Sequence, residues 1–280
     1  MSSSLAVSDI GNLAAILSWK VTKGVYRFDP ELLESLWDVK LDKEIPVDLI
    51  FENLPKYCCY IDLEGFQPAE DKSVIGFFTY LEHDANTGHR EIRLAFVMTD
   101  QDTPYLTNFA FHVDESDTTI GSMVDASLEY SRKQVPKLFE GLNTSIISTS
   151  DKDCFDPNEK YSPFFSLILY ICSAERDIIT VSKPRKIKKT KNPKKQKKQL
   201  PIEYRVGSTI GKNIRKARSE YSKEGTDTGA GTKKSPHIRK AHYHLYWTGE
   251  GRKIPQLKFI YPVLVNIGEE PEMPIVKRVK

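Results

Sequence analysis

Apolar positions near the amino terminus recur with the period of an α-helix. Over residues 8–19 they fall on one face at intervals of three and four residues: Ile10, Leu13, Ala14 and Leu17. Ser8 or Asp9 can cap this helix, because a short side-chain oxygen accepts a hydrogen bond from a free backbone N–H of the first turn. A second helix is predicted from Asp29, a capping residue followed by Pro30, with an apolar face formed by Leu32, Leu33, Leu36 and Trp37.

The middle of the chain changes to the two-residue period of β-strands. Four segments are rich in β-forming residues: 58–63, 74–82, 91–99 and 105–113. The second and third of them flank a turn-forming stretch that contains Asn86 and Gly88. Near the carboxyl end, two more strands, residues 242–247 and 257–265, surround Gly249 and Gly251. These patterns predict an antiparallel sheet and a C-terminal β-hairpin.

Further helices are predicted around these strands. Thr118 or Thr119 can cap one that runs to about residue 132. Residues 164–172 form a buried apolar segment, for which a strand also fits the length, and residues 210–221 have a helical pattern. The fold class is therefore α+β, with N-terminal helices, a central antiparallel sheet with flanking helices and the C-terminal hairpin.

The same patterns divide the chain into five segments. They are an N-terminal helical segment (1–53), a central α+β core (54–182), a basic flexible loop (183–201), a C-terminal helix with a His/aromatic hairpin that joins the core (202–267) and a tail (268–280).

Composition favours a soluble intracellular protein. Of 280 residues, 39% are apolar and 28% charged, which is ordinary for a globular domain. The four cysteines form no Cys-x-x-Cys pair, so a disulfide framework or a zinc ribbon is not expected. The amino terminus lacks the basic and apolar regions of a signal peptide, and no apolar run is long enough to span a bilayer.

Charge is concentrated in one segment. Residues 183–199, which we call the lysine strip, hold ten Lys or Arg and no acid, so the net charge of +3 leaves −7 for the rest of the chain. Such a strip can bind phosphate through charge alone, or be a solvated loop. The candidate nucleic-acid contacts are Lys183, Arg185, Lys186, Lys188, Lys189, Lys194, Lys195, Lys197 and Lys198, together with Arg239.

The densest cluster of chemically active side chains lies in residues 235–249. His242 and His244 are two apart, so on a strand they point to one face, and His237 is close in sequence. Hydrogen-bonded strand residues beside an aromatic core are the ordinary interpretation of His242 and His244. Contact with a nucleic acid or a peptide is one alternative, and metal binding or acid–base catalysis by the three histidines is the other. Because no metal signature with established spacing is matched, we predict no metal site and no cofactor.

Two other groups of residues have side chains suited to a chemical role. Asp62, Glu64 and Glu82 could bind magnesium or act as acid and base, but solvent-facing carboxylates are the ordinary interpretation. Residues 206–211, Val-Gly-Ser-Thr-Ile-Gly, match neither a phosphate loop nor the dinucleotide fingerprint, so a nucleotide site is not expected.

Seven blocks in a fixed order resemble one known family. They begin at Gly24 (GVYRFDPEL), Leu54 (LPKYCCYID), Gly76 (GFFTYLEHD, then REIRL), Leu167 (LILYICSAERDI), Val206 (VGSTIG), His237 (HIRKAHYHLYWTG) and Tyr261 (YPVLVN). Over residues 20–267 the chain is similar to the second type of subtype V-A anti-CRISPR and its plasmid and phage relatives. It departs from the family at Tyr243, where relatives often carry Trp, and in its unusually basic lysine strip.

The resemblance implies a function that composition does not show. Members of this type reduce production of a type V effector nuclease: they recognise the start of the effector polypeptide and deplete its message during translation. The implied partners are the N-terminal segment of the effector, as a nascent chain on the ribosome, and RNA, in the cytoplasm of the bacterial host.

The acidic body suits a basic or amine-bearing peptide. Candidate peptide contacts are Asp62, Glu64, Glu82, Tyr246 and Trp247. Binding is favoured over catalysis. The alternatives are a ribonuclease centred on the histidines and a generic RNA-binding accessory protein of a mobile element.

Overall fold

The structure is a computed structural model. It describes residues 7–66, 74–83, 85, 88–100, 103–114, 118–138, 157–181, 200–224 and 237–265. The lysine strip and the tail after residue 265 lie outside these ranges. No helix in the part described is long and apolar enough to cross a membrane.

Helices and strands contribute about equally to the fold. The helices are α1 (Val7–Thr22), α2 (Pro30–Trp37), α3 (Asp48–Asn53), α4 (Ile120–Leu138), α5 (Pro157–Cys172) and α6 (Ser208–Glu224). The strands of the main sheet are β1 (Gly24–Phe28), β2 (Cys58–Asp62), β3 (Val74–His83), β4 (Arg90–Asp100), β5 (Thr103–Val113), β6 (Ile178–Thr180) and β7 (Ile202–Val206). Four more form two small sheets: β8 (His237–Arg239) with β11 (Val263–Val265), and β9 (His242–Thr248) with β10 (Ile254–Ile260).

The main sheet has seven strands in the order β5-β4-β3-β2-β1-β7-β6. The run from β2 to β5 is antiparallel, as predicted, and the α+β class is confirmed. Strand β1 pairs in parallel with both β2 and β7, which makes the sheet mixed. The sequence patterns predicted neither β1 nor β7, and so neither parallel pairing, because both strands are only five residues long and carry charged residues among their apolar positions.

The sheet has helices on both faces. One face packs on the main core, where α5 is buried from Phe164 to Cys172, so the helical interpretation of this segment is confirmed. The other face is partly covered by α1. Alternation along β2 separates the two sides: Cys59 and Ile61 enter the main core, whereas Cys58 packs with Ala15 of α1.

Several predicted boundaries differ from the structure; for example, α4 ends at Leu138 and not near residue 132. Helix α5 begins at Pro157, and Pro163 lies inside it, where the Ser162 hydroxyl accepts a hydrogen bond from the Leu41 N–H and donates one to the Val39 carbonyl. The predicted strand 257–265 is broken at Tyr261-Pro262, so β10 pairs with β9 while β11 pairs with β8. Proline explains the break, because it has no N–H to donate to a ladder.

The apolar face predicted for α1 is not the face that packs. Ile10, Leu13 and Leu17 are 58%, 48% and 49% exposed, whereas Ala15 is fully buried. The helix approaches the sheet closely through small residues: a Cβ on Gly11 would lie 3.2 Å from Asn108 Cγ, and the Tyr80 hydroxyl donates to the Gly11 carbonyl. Close approach through small side chains leaves the larger ones outside.

Candidate functional site

The β9–β10 hairpin is fixed to the core along one side. Leu257 and Phe259 are buried, and the Tyr243 hydroxyl donates a 2.5 Å hydrogen bond to the Ser166 carbonyl of α5. Burial raises the pKa of Tyr243 well above its ordinary value, so this hydroxyl stays protonated as a donor. The hairpin therefore presents its other side to solvent from a rigid base.

The solvent side of the hairpin carries imidazoles and aromatic rings. His242, His244 and Tyr246 alternate along β9 and are all exposed. The His244 and Tyr246 ring centroids are 4.2 Å apart in an edge contact. Tyr246 is 44% exposed. The next residue, Trp247, points to the opposite side of the strand, the side of Tyr243 and Leu245, and is 50% exposed near the tip of the hairpin. Such half-exposed rings can stack on a base or hold an apolar side chain.

The three candidate histidines are divided between two sheets. His242 and His244 lie on β9, while His237 lies on β8, whose partner strand is β11. Within the described ranges no group of three His, Cys, Asp or Glu side chains could hold a metal ion. His242 and His244 remain together as two imidazoles on one open face, and the Nδ1 of His242 is 3.2 Å from the Lys240 carbonyl oxygen.

Basic residues surround the hairpin. Lys240, Arg252 and Lys253 are exposed near it, as is Arg239 on β8. Lys258, on β10 opposite His244, forms a 2.7 Å ion pair with Glu175. This local positive charge suits a partner with phosphate or carboxylate groups. The net negative charge of the chain outside the lysine strip gives no sign of such a surface.

The three candidate carboxylates lie elsewhere. Asp62 is 9% exposed and pairs with Arg27, with 3.0 Å between Nη2 and Oδ2. Glu82 Oε2 is 2.7 Å from Arg93 Nε. Glu64 is exposed in the turn after β2, where its N–H donates to Asp62. Two of the three charges are thus already balanced within the protein.

The five predicted peptide contacts do not form one cluster. Asp62 and Glu82 lie on the sheet face opposite the main core, since they alternate with core residues Ile61 and Leu81 along their strands. Tyr246 and Trp247 belong to the hairpin that packs on α5, on the core side of the same sheet.

A buried charge network was missed by the sequence analysis. Glu91 is 2% exposed and contacts Arg93 at 2.6 Å and His112 Nδ1 at 2.9 Å. Desolvation alone would raise the pKa of Glu91, but the hydrogen bonds and charges of His112 and Arg93 outweigh it and lower the pKa. His112 faces Glu91 only through the register of β4 and β5, which no local pattern reveals.

The glycine-containing segment 206–211 includes the start of α6 and lies against the start of α2. The Asp177 carboxylate accepts hydrogen bonds from the Thr209 and Ile210 N–H groups at the start of α6, the place where a phosphate would bind. A Cβ on Gly211 would lie 2.0 Å from Asp29 Oδ1. The motif therefore allows α6 to pack closely against the start of α2.

The described cysteines are poor nucleophiles. Cys58, Cys59 and Cys172 are buried free thiols. Burial raises the pKa of Cys58 and of Cys172 to about 12, so both remain protonated at neutral pH.

Comparison with known proteins agrees with the fold and the resemblance. The model of the AcrVA2-like family, described as the anti-CRISPR type V subtype A2 family, matches residues 26–267. Protein FinQ of Escherichia coli is 22% identical over 288 residues, which cover 95% of this chain and 79% of FinQ. A crystal structure of AcrVA2 is similar with a TM-score of 0.58 and 22% identity, over 92% of this chain and 77% of that chain. The chain belongs to the anti-CRISPR type V subtype A2 family.

Proposed function

We propose that this protein lowers production of a type V CRISPR effector nuclease by recognising the N-terminal segment of the nascent effector and depleting the associated mRNA. Family membership supports the anti-CRISPR role. The finer mechanism follows from the resemblance and from the surface of the hairpin.

The observation that carries the proposal is the pair of half-exposed aromatic rings on a fixed hairpin. Tyr246 and Trp247 lie on β9, the strand whose Tyr243 hydroxyl donates a hydrogen bond to the Ser166 carbonyl of α5. Because the strand that carries them is already fixed, the backbone loses little conformational entropy when a partner binds, and the two rings suit the anchoring of a short peptide.

The exposed charged side chains near the hairpin differ from those on the other side of the sheet. The cations near the hairpin, Lys240, Arg252 and Lys253, suit the phosphates of a message or an acidic group of the peptide. Of the three candidate carboxylates, Glu64 in the turn after β2 remains exposed for an amine-bearing peptide, whereas Asp62 and Glu82, on the other side of the sheet, are held by arginines. The hairpin is therefore the first surface to test.

Calorimetry with peptides that tile the start of a type V effector tests the proposal. The N-terminal peptide should bind, and Trp247→Ala should weaken its binding roughly tenfold or more, because a buried aromatic anchor is lost. Tyr221→Ala is the matched control, since Tyr221 on α6 is 42% exposed and lies outside the hairpin. Failure of every tile to bind would refute nascent-chain recognition.

A second candidate function is RNA cleavage or RNA binding by the same hairpin. The favouring observation is the pair of exposed imidazoles, His242 and His244, among cations. Two imidazoles can act as general base and general acid on RNA without a metal. Cleavage of RNA by the purified protein, lost in His244→Asn and retained in Tyr221→Ala, would establish the ribonuclease and replace the binding mechanism.

A further inference from the structure

A cavity of about 460 Å³ opens between the end of α2 and the loop that follows it, the start of α4 and the first half of α5. Its apolar lining comes from all of these segments: Trp37, Val39, Leu41, Ile120, Val124 and Phe165. Pockets that bind ligands have volumes of roughly 300–1,000 Å³ and mostly apolar walls. The cavity therefore has the size and the lining of a binding site.

The loop that forms one wall of the cavity is fixed from both sides. The Ser162 hydroxyl of α5 accepts a hydrogen bond from the Leu41 N–H and donates one to the Val39 carbonyl. On the α4 side, the Gly121 N–H donates to the Lys43 carbonyl at 3.0 Å, and a Cβ on Gly121 would lie 2.6 Å from the Lys43 Cβ. Because this wall is held in place without a ligand, binding has little ordering cost.

The rim of the cavity carries charges of both signs. Asp38 and Asp42, together with Lys40 and Lys43, are exposed and line the opening. Carboxylates accept hydrogen bonds from an ammonium group, and lysines donate to carbonyl oxygens. Such a rim above an apolar floor suits a chain end, where an apolar side chain, an ammonium group and carbonyl groups lie close together.

The cavity and the hairpin lie along the same side of α5. Ser162 lines the cavity, and Ser166, whose carbonyl accepts the hydrogen bond from Tyr243 of β9, follows one helical turn later. Tyr246 and Trp247 are three and four residues further along β9. At about 1.5 Å per helical residue and about 3.4 Å per strand residue, these rings are on the order of 20 Å from the cavity. An extended segment of roughly six or seven residues spans that distance.

We propose that this cavity binds the amino-terminal residue of the target peptide, with its apolar side chain on the floor and its ammonium group at Asp38 and Asp42. The inference rests on the proposed function and names the part of the nascent segment that the protein recognises, which is the free chain end. An internal residue has no ammonium group, so the cavity makes recognition depend on position at the start of the polypeptide.

Calorimetry with three versions of the amino-terminal effector peptide, each long enough to reach the hairpin, tests the proposal. The first begins with a free methionine, the second with N-formylmethionine and the third with glycine in place of the methionine. The first should bind roughly tenfold or more tightly than either of the others, because formylation removes the ammonium group and glycine leaves the apolar floor empty.

Variants of the rim locate this preference in the cavity. The double variant Asp38→Asn/Asp42→Asn should bind the free and the formylated peptide equally. Glu44→Gln is the matched control, since Glu44 is an exposed acid of the same loop that does not line the cavity, and it should keep the preference. Circular dichroism should show that both proteins are folded, because all the replaced side chains are exposed.

The outcomes separate this proposal from the proposed function. If wild-type protein binds the free and the formylated peptide equally while Trp247→Ala still weakens both, the cavity site is overturned and nascent-chain recognition stands. If none of the three versions binds, both are overturned. Free methionine that binds as tightly as the peptide would make the cavity an amino-acid site and would also overturn the proposal.

Discussion

The Glu91 carboxylate lies buried in the sheet and depends on two partners. Arg93 and His112 supply its hydrogen bonds, while Glu82 shares Arg93 from a more exposed position. A buried charge whose partner is removed loses its compensation, so each member of this network matters more than a surface ion pair does.

Replacing Glu91 should therefore destabilise the protein. Glu91→Gln is expected to lower the free energy of unfolding by about 2 kcal/mol at neutral pH, since a charged hydrogen-bond acceptor is lost. Glu82→Gln, at a side chain 40% exposed, should cost about 0.5 kcal/mol. Urea denaturation of both variants measures this, and equal losses would contradict the assignment of the buried role to Glu91.

The Glu91 contribution should also depend on pH. Its pKa is lowered from 4.5 in the folded state, so its stabilisation is complete above that value and is lost as the pH falls through the folded pKa. The difference between wild type and Glu91→Gln should shrink below about pH 4.5. A difference that stays constant down to strongly acidic pH would show that the carboxylate does not act through its charge.

At the scale of elements, α2 and α6 are joined at their starts. Asp29 accepts a hydrogen bond from the Glu31 N–H, which caps α2, and it forms a bidentate ion pair with Arg215 of α6. Gly211 leaves the space in which the Asp29 carboxylate sits. This contact explains why position 211 is a glycine. From the sequence alone, one could say only that residues 206–211 match no known nucleotide-binding motif.

A side chain at position 211 should break this joint. Gly211→Ala is expected to destabilise the protein by about 2 kcal/mol, because the new methyl displaces Asp29 from its cap and its ion pair. Gly11→Ala on α1 is the control: its Cβ would meet only the Asn108 side chain at 3.2 Å, and alanine favours a helix. A Gly211→Ala variant as stable as Gly11→Ala would refute the close packing.

Most elements were predictable, but what they contact was not. The period of apolar residues located α1, α2 and the strands β2 to β5 within a few residues. The prediction of which side of α1 packs on the sheet was wrong, because the helix can approach the sheet closely only through the small residues around Ala15. Pairings across strands, such as Glu91 with His112, depend on register and leave no trace in a local pattern.

At the scale of the whole molecule, the family could be recognised from the order of sequence blocks, whereas the arrangement of a site could not. The resemblance to anti-CRISPR proteins rested on ordered blocks, and the family match over residues 26–267 confirms it. The candidate contacts came from residue type alone, so nothing fixed their relative positions. The structure separates Asp62 and Glu82 from Tyr246 and Trp247, and makes the hairpin the surface that experiments should address first.

The lysine strip is predicted to be dispensable for folding. It joins β6 to β7, which are antiparallel neighbours with Thr180 opposite Tyr204, so a short Gly/Ser linker can replace residues 183–199. The midpoint of thermal unfolding should change by no more than a few degrees. A fall of many degrees would show that the strip packs on the body.

The central claim is that the protein reads the nascent peptide of its target and not the nucleotide sequence of the message. Two reporters in a translating extract test it directly: one whose effector-derived start is recoded with synonymous codons, and one whose reading frame is shifted with minimal nucleotide change. The account predicts that the recoded message is depleted when the protein is added and the frame-shifted message is not. Depletion of the frame-shifted message together with survival of the recoded one would contradict it.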